Sequence, residues 1–464
     1  MLFNGKGMLL FKLPKTQLQM KKISAITVII SLWAAIVYVS SCNSGQPEQK
    51  DNSKPPEGIA ASSPQTPLSP DLPYDVTFLP GEPLVMETTV RRRFDIFSWD
   101  SFIALCWPTQ DGEVIGQFGD NPTVWETWKT VDKIFLDDGK DPTPWDSTLR
   151  TQPKLLSQTG KVPPELSAFV QPFNTGPLID QNGEYARFEI AVNQEMFNYI
   201  DQNKLYNIDG QQTFSNTVIF PSGNDSTKQH GAIMVKASWK ILGKGDDTSR
   251  FHKTMATVYA TGLPSRGIKD TIYKALVGLV GLHIGTKTVV SPQWIWSTFE
   301  HVDNVPDFTK RKEKQHYNFY NAEDTSTKRL NRTPAQPWCA RISGQRPSQV
   351  ARLTPIDTGT QHLNDSMRTL LTKINPKSVW QYYKLVGTQW PVNPAKDATG
   401  DPFPVFMANA TLETYDQGNI QGNKITYTPN VSSSCISCHN GATSWTGHTS
   451  DFTYILRRAK AVKK

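Results

Sequence analysis

Apolar residues recur at every third or fourth position in three segments of the chain, which is the spacing of a helix with one buried face. These segments are 94–105 (FDIFSWDSFIAL), 122–135 (PTVWETWKTVDKIF) and 195–206 (EMFNYIDQNKLY). Each of them predicts an amphipathic helix. The segment 450–461 (SDFTYILRRAKA) predicts one further short helix.

The middle of the chain follows a different pattern, in which apolar residues alternate with polar ones or are β-branched, and turn residues separate the runs. Four segments show it: 231–241, 254–262, 274–289 and 293–302. Closely spaced strands with helices before and after them are typical of an α+β fold. We therefore predict a large mixed domain with a central antiparallel sheet, helices outside it, and a short C-terminal segment packed against it.

The first part of the chain has the pattern of a secretory signal. Lys21 and Lys22 follow Met20, which we take as the start, and they precede a charge-free apolar run at 23–39. Positive charges before an apolar run that ends in small residues are typical of an exported protein. The run ends in VSSC, which resembles the lipobox of bacterial lipoproteins, whose cysteine, here Cys42, carries the lipid. A transmembrane anchor is the alternative, because about 17 apolar residues is the lower limit of a spanning helix.

In either case the rest of the chain is expected outside the cytoplasmic membrane, in the periplasm or cell envelope. We assign 1–41 to the signal. Residues 42–75 are rich in Pro, Ser and Gln and poor in apolar side chains, so we predict a flexible, lipid-anchored tether there. The large α+β domain is expected at 76–410, and the segment that carries the chemistry at 411–464.

The formal net charge of +7 comes from the two ends of the chain. Five lysines precede Cys42 without any acidic residue, so the chain from Cys42 onward has a charge of 7 − 5 = +2. The last eight residues, RRAKAVKK, contribute five positive charges, which leaves 2 − 5 = −3 for the body. No basic stripe for a nucleic acid is expected. The basic tail is either a docking element for an acidic redox partner or a phospholipid headgroup, or a solvated terminus.

The chemistry is indicated by Cys435, Cys438 and His439, which spell C-x-x-C-H, the pattern of covalent c-type haem attachment. Two thiols at this spacing add across the two vinyl groups on one edge of the porphyrin, and the adjacent histidine reaches the iron. Haem c is attached outside the cytoplasm, so the motif agrees with the export signal.

The motif and its surroundings, NATLETYDQ before it and SDFTYIL after it, resemble the C-terminal end of large, exported, mono-haem bacterial cytochrome c family proteins. The segments SWDSFIALCWP and QWIWSTFEHVDNVP are similar to parts of the same family. The resemblance implies one covalent haem at Cys435 and Cys438, with His439 as the proximal iron ligand. It implies neither a substrate nor a defined distal ligand.

The second axial ligand of the iron has to come from elsewhere, because no methionine follows His439. We favour Met407, followed by His448 and His283, as candidate distal ligands; His301 is a further histidine on a predicted strand. Met407 lies in an apolar run and could instead be core packing. A methionine ligand would raise the reduction potential, whereas an open iron site could activate peroxide or bind a small ligand.

Two cysteines, Cys106 and Cys339, remain after the lipid and haem positions are assigned. In an oxidising compartment they are candidates for a disulfide. A zinc site formed by Cys106, Cys339, Cys435 and Cys438 is a weaker alternative, because it leaves the histidine of the motif unexplained.

The sequence therefore predicts an exported c-type cytochrome lipoprotein that transfers single electrons between periplasmic or membrane redox partner proteins. The alternative is a mono-haem enzyme, peroxidase-like or another oxidoreductase, whose large domain shapes an open distal iron site. No small-molecule ligand is indicated by the residues. No catalytic triad or paired-carboxylate signature supports hydrolysis.

Overall fold

The structure is a computed structural model. It describes residues 68–463 apart from 111, 117–121, 147–153, 157–174, 314, 325, 340–344, 394–400, 423 and 428–433. The helices are α1 (Arg91–Leu105), α2 (Val131–Ile134), α3 (Gln194–Gln202), α4 (Ile208–Thr213), α5 (Thr358–Ile374) and α6 (Cys435–His439). The strands are β1 (Lys129–Thr130), β2 (Lys154–Leu156), β3 (Arg187–Val192), β4 (Ile233–Ile241), β5 (Lys253–Ala260), β6 (Thr271–Thr286), β7 (Ile295–His301), β8 (Tyr383–Pro391), β9 (Pro402–Phe403), β10 (Asn419–Gln421) and β11 (Lys424–Thr426).

A large sheet forms the centre of the described structure. Its main path runs β1-β3-β4-β6-β7-β8-β9, and every neighbouring pair along that path is antiparallel. Strand β5 pairs antiparallel with β6 and parallel with the short β2. The predicted α+β architecture with a central antiparallel sheet is therefore confirmed.

The two faces of the sheet are covered by different parts of the chain. Helices α1 and α5 cover one face, where Phe102 and Leu363 pack with strand residues such as Leu282. The opposite face is covered by α3 and by residues that follow β9, among them Ile436 and Leu456. The sheet thus presents side chains to a helical layer on one face and, on the other, to a layer formed by residues between 131 and 220 together with C-terminal residues.

The four predicted strands are confirmed as β4, β5, β6 and β7, and two of the predicted helices as α1 and α3. The helix predicted at 122–135 is wrong. That segment forms a 3₁₀ turn (Val124–Thr127), then β1 and α2. The side chain of Glu126 is held by His252 and Lys154, and β1 pairs with β3, so tertiary contacts override the helical periodicity.

The helix predicted at 450–461 is also wrong, because only a 3₁₀ turn, Ile455–Arg458, forms there. Asp451 and Phe452 have left-handed backbone conformations, with φ of 48° and 63°, which are incompatible with a right-handed helix. The strands β3 and β8 and the helix α5 were not predicted at all.

The predicted signal, Cys42 and residues up to 67 of the predicted tether lie outside the described residues. Within the remainder of that tether, Leu68 and Leu72 pack against the core face covered by α1 and α5. In the described part of the chain, none of the helices has both the length and the apolar character needed to cross a membrane.

Candidate haem-attachment site

The C-x-x-C-H motif forms the single-turn helix α6, which lies against β8 and β9. Ile436, between the two cysteines, is fully buried, and its backbone N–H donates to the side-chain oxygen of Gln389 on β8 at 2.8 Å. The amide of Gln389 donates in turn to the Pro404 carbonyl at 2.6 Å. The motif helix is therefore fixed to the sheet by a buried hydrogen-bonded side chain, while Cys435 and Cys438 stay half-buried as free thiols.

The imidazole of His439 is fixed in one tautomer. Its Nδ1 lies 2.7 Å from the carbonyl oxygen of Phe452, and because a carbonyl only accepts, Nδ1 carries the proton. Nε2 therefore keeps its lone pair. Burial lowers the pKa of His439 to about 4, so the ring is neutral near pH 7. A neutral imidazole with a tethered Nδ1–H is the form that ligates a metal ion.

A strained turn presents the Phe452 carbonyl to His439. Asp451 and Phe452 are consecutive non-glycine residues with positive φ, a conformation that costs about 1–3 kcal/mol per residue. The turn is anchored by Asp451, whose carboxylate accepts from the Phe220 backbone N–H at 2.7 Å and pairs with Lys287. Strained backbone next to a motif that carries chemistry is a pointer to function.

Aromatic side chains form the walls beside His439. The ring of Trp296 on β7 lies 4.4 Å from the imidazole, with an angle of 48° between the planes. Tyr454 meets the imidazole edge-on at 5.4 Å, and its hydroxyl donates to the Cys438 carbonyl at 2.8 Å. The walls are apolar and flat, as a porphyrin face requires.

A polar group of three residues lies close to the motif on the same face of the sheet: Lys236 on β4, His283 on β6, and Glu413 from the segment after β9. Lys236 and His283 are direct cross-strand partners. Nε2 of His283 lies 3.4 Å from a carboxylate oxygen of Glu413, but the two are not aligned for a hydrogen bond, and Nε2 has no other partner. Although burial opposes its charged form, the charges of His283 and Lys236 lower the pKa of Glu413.

The motif and this polar group together form the candidate site. Burial raises the pKa of both Cys435 and Cys438, and Glu413 adds to the shift at each thiol. Both cysteines and His439 keep part of their surface exposed, as do the side chains of His283 (17%) and Glu413 (20%). These side chains are therefore partly accessible to solvent.

No family model, curated protein or solved structure matches this chain. The functional interpretation therefore depends on the chemistry of the candidate site, which the motif and the polar group form. Its residues fit a covalent haem: two free thiols at the required spacing, a neutral histidine with an available Nε2, and flat aromatic walls. None of the three features depends on a likeness to another protein.

The other candidate ligands lie in different surroundings. Met407 is 4% exposed and packs over β8, where a Cβ at Gly387 would lie 3.0 Å from its sulfur. His448 is exposed in a hairpin turn, and its carbonyl accepts from the Ser444 N–H at 2.8 Å. His301 is fully buried and hydrogen-bonded to the Arg250 carbonyl at 3.0 Å, so it is a structural histidine.

The two remaining cysteines are buried and separate. Cys106 lies in the core between α1 and the sheet, whereas the thiol of Cys339 donates to the Thr261 carbonyl at 3.5 Å. Both are free thiols, so the disulfide considered for them is not formed. The four-cysteine zinc site is also wrong, because the described residues contain no group of three or more metal-ligating side chains.

Several residues of the candidate site have no signal in the sequence. Glu413, Trp296, Gln389 and the carbonyl of Phe452 reach the motif through sheet register or through the strained turn. The register of β7 and β8 pairs Trp296 with Gln389, and register cannot be read from one strand alone. Glu413 reaches the site from the segment after β9, where it contacts His283.

Proposed function

We propose that the protein is an exported c-type cytochrome that carries one covalent haem and transfers single electrons between redox partner proteins at the cell envelope. The observation that carries the proposal is His439, whose Nδ1–H is tied to the Phe452 carbonyl and whose Nε2 remains available beside two free thiols. A histidine that only fills space in the core would not require a tethered Nδ1–H, an available Nε2 and two adjacent thiols at the same time.

The residues of the motif have distinct roles in this proposal. Cys435 and Cys438 would hold the haem covalently, each by addition of its S–H across one vinyl group, so that no leaving group is required. His439 would hold the iron through Nε2. The Phe452 carbonyl fixes the ring orientation and increases the basicity of the imidazole. When bound, the haem supplies a one-electron iron couple.

The surroundings suit electron transfer. The side chains of Trp296 and Tyr454 exclude water from the sides of His439, and a less polar site favours the less charged ferrous state. The motif residues keep a partly exposed edge, through which a partner could approach. The proposed lipid at Cys42 would keep the protein at a membrane surface, where membrane-bound and periplasmic redox partners are accessible.

A haem enzyme is the second candidate, and the polar group of Lys236, His283 and Glu413 is the observation that favours it. Imidazole, carboxylate and ammonium groups over an open iron could move protons to and from a small substrate such as peroxide. In this case the iron would bind an exchangeable small molecule at the position that a second protein side chain would otherwise occupy.

The test is to express the exported chain together with a haem c maturation system and to measure its pyridine haemochrome spectrum after acid–acetone extraction. We expect haem that resists extraction, in a 1:1 ratio with protein. Rapid electron exchange with a small cytochrome, without peroxide turnover, would support the carrier. Peroxide consumption at a rate that saturates with substrate would support the enzyme, and absence of covalent haem would overturn both.

A further inference from the structure

We propose that His283 is the distal axial ligand of the haem iron, so that the iron is held between two histidines. This inference rests on the proposed haem function. It differs from the expectation based on sequence, which favoured Met407. It also separates the carrier from the enzyme, because a second histidine ligand occupies the position that a substrate would need.

The first argument is position. Trp296 pairs directly with Gly285, and His283 pairs with Thr298 on the same two strands. His283 and Trp296 are therefore diagonal neighbours on one face of the sheet, and such neighbours lie about 7–8 Å apart. The imidazole of His439 lies 4.4 Å from the Trp296 ring, in a tilted arrangement. Both histidines thus stand over the same small area of the sheet.

The second argument is the state of the His283 imidazole. Its Nε2 is shielded from water. The neighbouring group is Oε2 of Glu413 at 3.4 Å, which also accepts from the Asn409 backbone N–H at 2.9 Å. Buried polar nitrogens in native proteins usually have a well-aligned partner, and an iron bond to Nε2 would supply one.

The neighbours of His283 hold it in place. Glu413 is fixed by the turn that begins at Asn409, because its own N–H also donates to the Asn409 carbonyl at 2.9 Å. The ammonium of Lys236 lies 5.1 Å from the Phe188 ring centroid, and no carboxylate of the described residues forms a salt bridge with it. One anionic and one cationic group therefore flank the ring.

The rival ligands are less suited. The sulfur of Met407 is packed against Gly387, which is two strands away from His283 in the cross-strand row formed by His283, Thr298 and Gly387. His448 is exposed in its hairpin turn.

The experiment uses the full chain matured with haem and compares His283→Ala with Met407→Leu and His448→Ala as matched controls. Optical and electron paramagnetic resonance spectra of the ferric protein report the spin state and the ligand type. We expect the unchanged protein to be low-spin without the near-infrared methionine–iron band. We expect His283→Ala to become predominantly high-spin and to return to low-spin when imidazole is added, while both controls keep the original spectrum.

The covalent haem content of each variant, measured as pyridine haemochrome, separates the test of the haem function from the test of the His283 assignment. Normal haem content with an unchanged low-spin spectrum in His283→Ala would overturn the ligand assignment and leave the haem function intact. A high-spin spectrum of the unchanged protein, or loss of low-spin character in Met407→Leu, would overturn it too. Absence of covalent haem in the unchanged protein would overturn the haem function itself.

A second variant covers the case in which His283→Ala does not fold. His283→Met keeps a ligand of similar reach, so it should remain low-spin, gain the near-infrared methionine–iron band and have a more positive reduction potential. A spectrum and a potential identical to those of the unchanged protein would contradict the assignment.

Discussion

The ammonium of Lys287 and the carboxylate of Asp451 form an ion pair inside the protein, with side-chain exposures of 3% and 9%. Asp451 directly precedes the residue whose carbonyl holds His439. The pair therefore links the end of β6 to the orientation of the proximal histidine.

Removal of the charge of Asp451 should destabilise the fold. Asp451→Asn keeps the size of the side chain and tolerates the left-handed backbone, but leaves the ammonium of Lys287 buried without a counterion. Breaking a buried pair in this way costs about 3–5 kcal/mol. Denaturant unfolding of the protein measures this loss directly.

The matched control is Asp225→Asn in the exposed pair with Lys228, whose side chains are 69% and 63% exposed. A surface pair contributes little, so its loss should change the unfolding free energy by less than about 1 kcal/mol. Equal effects of the two substitutions would show that Asp451 is not an electrostatic anchor.

Substitution of the motif cysteines should remove the covalent bond in two steps. Cys435→Ala or Cys438→Ala alone leaves one thioether, so haem should resist extraction, with a pyridine haemochrome band at longer wavelength because one vinyl group stays conjugated. The double variant should release all haem into acid–acetone. Cys339→Ala serves as the control and should keep the full covalent content; extraction-resistant haem in the double variant would refute attachment at these residues.

The side chain of Gln389 should stabilise the motif helix, because its oxygen accepts a hydrogen bond from the Ile436 N–H. In Gln389→Leu the N–H of Ile436 loses its acceptor inside the protein, which costs about 1–3 kcal/mol. We expect lower unfolding free energy and a smaller yield of haem-loaded protein. Gln212→Ala on the exposed surface of α4 should change neither quantity measurably, and a Gln389→Leu protein as stable as that control would contradict this role.

The pH dependence of stability should include a contribution from Asp95 on α1. Burial raises the pKa of this carboxyl to about 6 from its ordinary 3.8, despite hydrogen bonds from Thr360 and Thr388. Because the folded state prefers the protonated form, the contribution to stability is complete below pH 3.8 and is lost as the pH rises through about 6. The loss is on the order of 3 kcal/mol, at about 1.4 kcal/mol for each unit of pKa shift.

Unfolding free energies measured across this range test the assignment. Asp95→Asn cannot titrate, so its profile should lack the decline between these pH values. Asp365→Asn, on the exposed surface of α5, should follow the profile of the unchanged protein. A decline that persists in Asp95→Asn would assign it to another group.

The strands β4 to β7 were predictable because their apolar and β-branched runs are bounded by turn residues, whereas β3 and β8 lie outside the runs that this pattern marked. The segment 122–135 was not predictable, since its apolar spacing fits a helix but Glu126 is bound by His252 and Lys154 from distant parts of the chain. Local preference is weak compared with such a buried ionic group.

In the candidate site, too, some residues could be identified from the sequence and others only from the fold. Cys435, Cys438 and His439 were identified because haem attachment requires a fixed local spacing. Glu413 and Trp296 come next to them only through the folded sheet, and no local pattern marks either. The preference for Met407 was based on its reach along the chain to the motif, and reach does not show that its sulfur faces Gly387.

The strained turn at Asp451 and Phe452 also has a consequence for maturation. Burial raises the pKa of the Cys435 thiol well above its ordinary value, so the folded chain presents a poor nucleophile. Attachment is therefore favoured while the motif is still open, before residues 451–452 close the turn. A chain that stops short of Phe452 would carry all three motif residues and still lack the acceptor that fixes His439. In the proposed cytochrome, the C-terminal residues would therefore contribute to holding the haem ligand after attachment, through the Phe452 carbonyl.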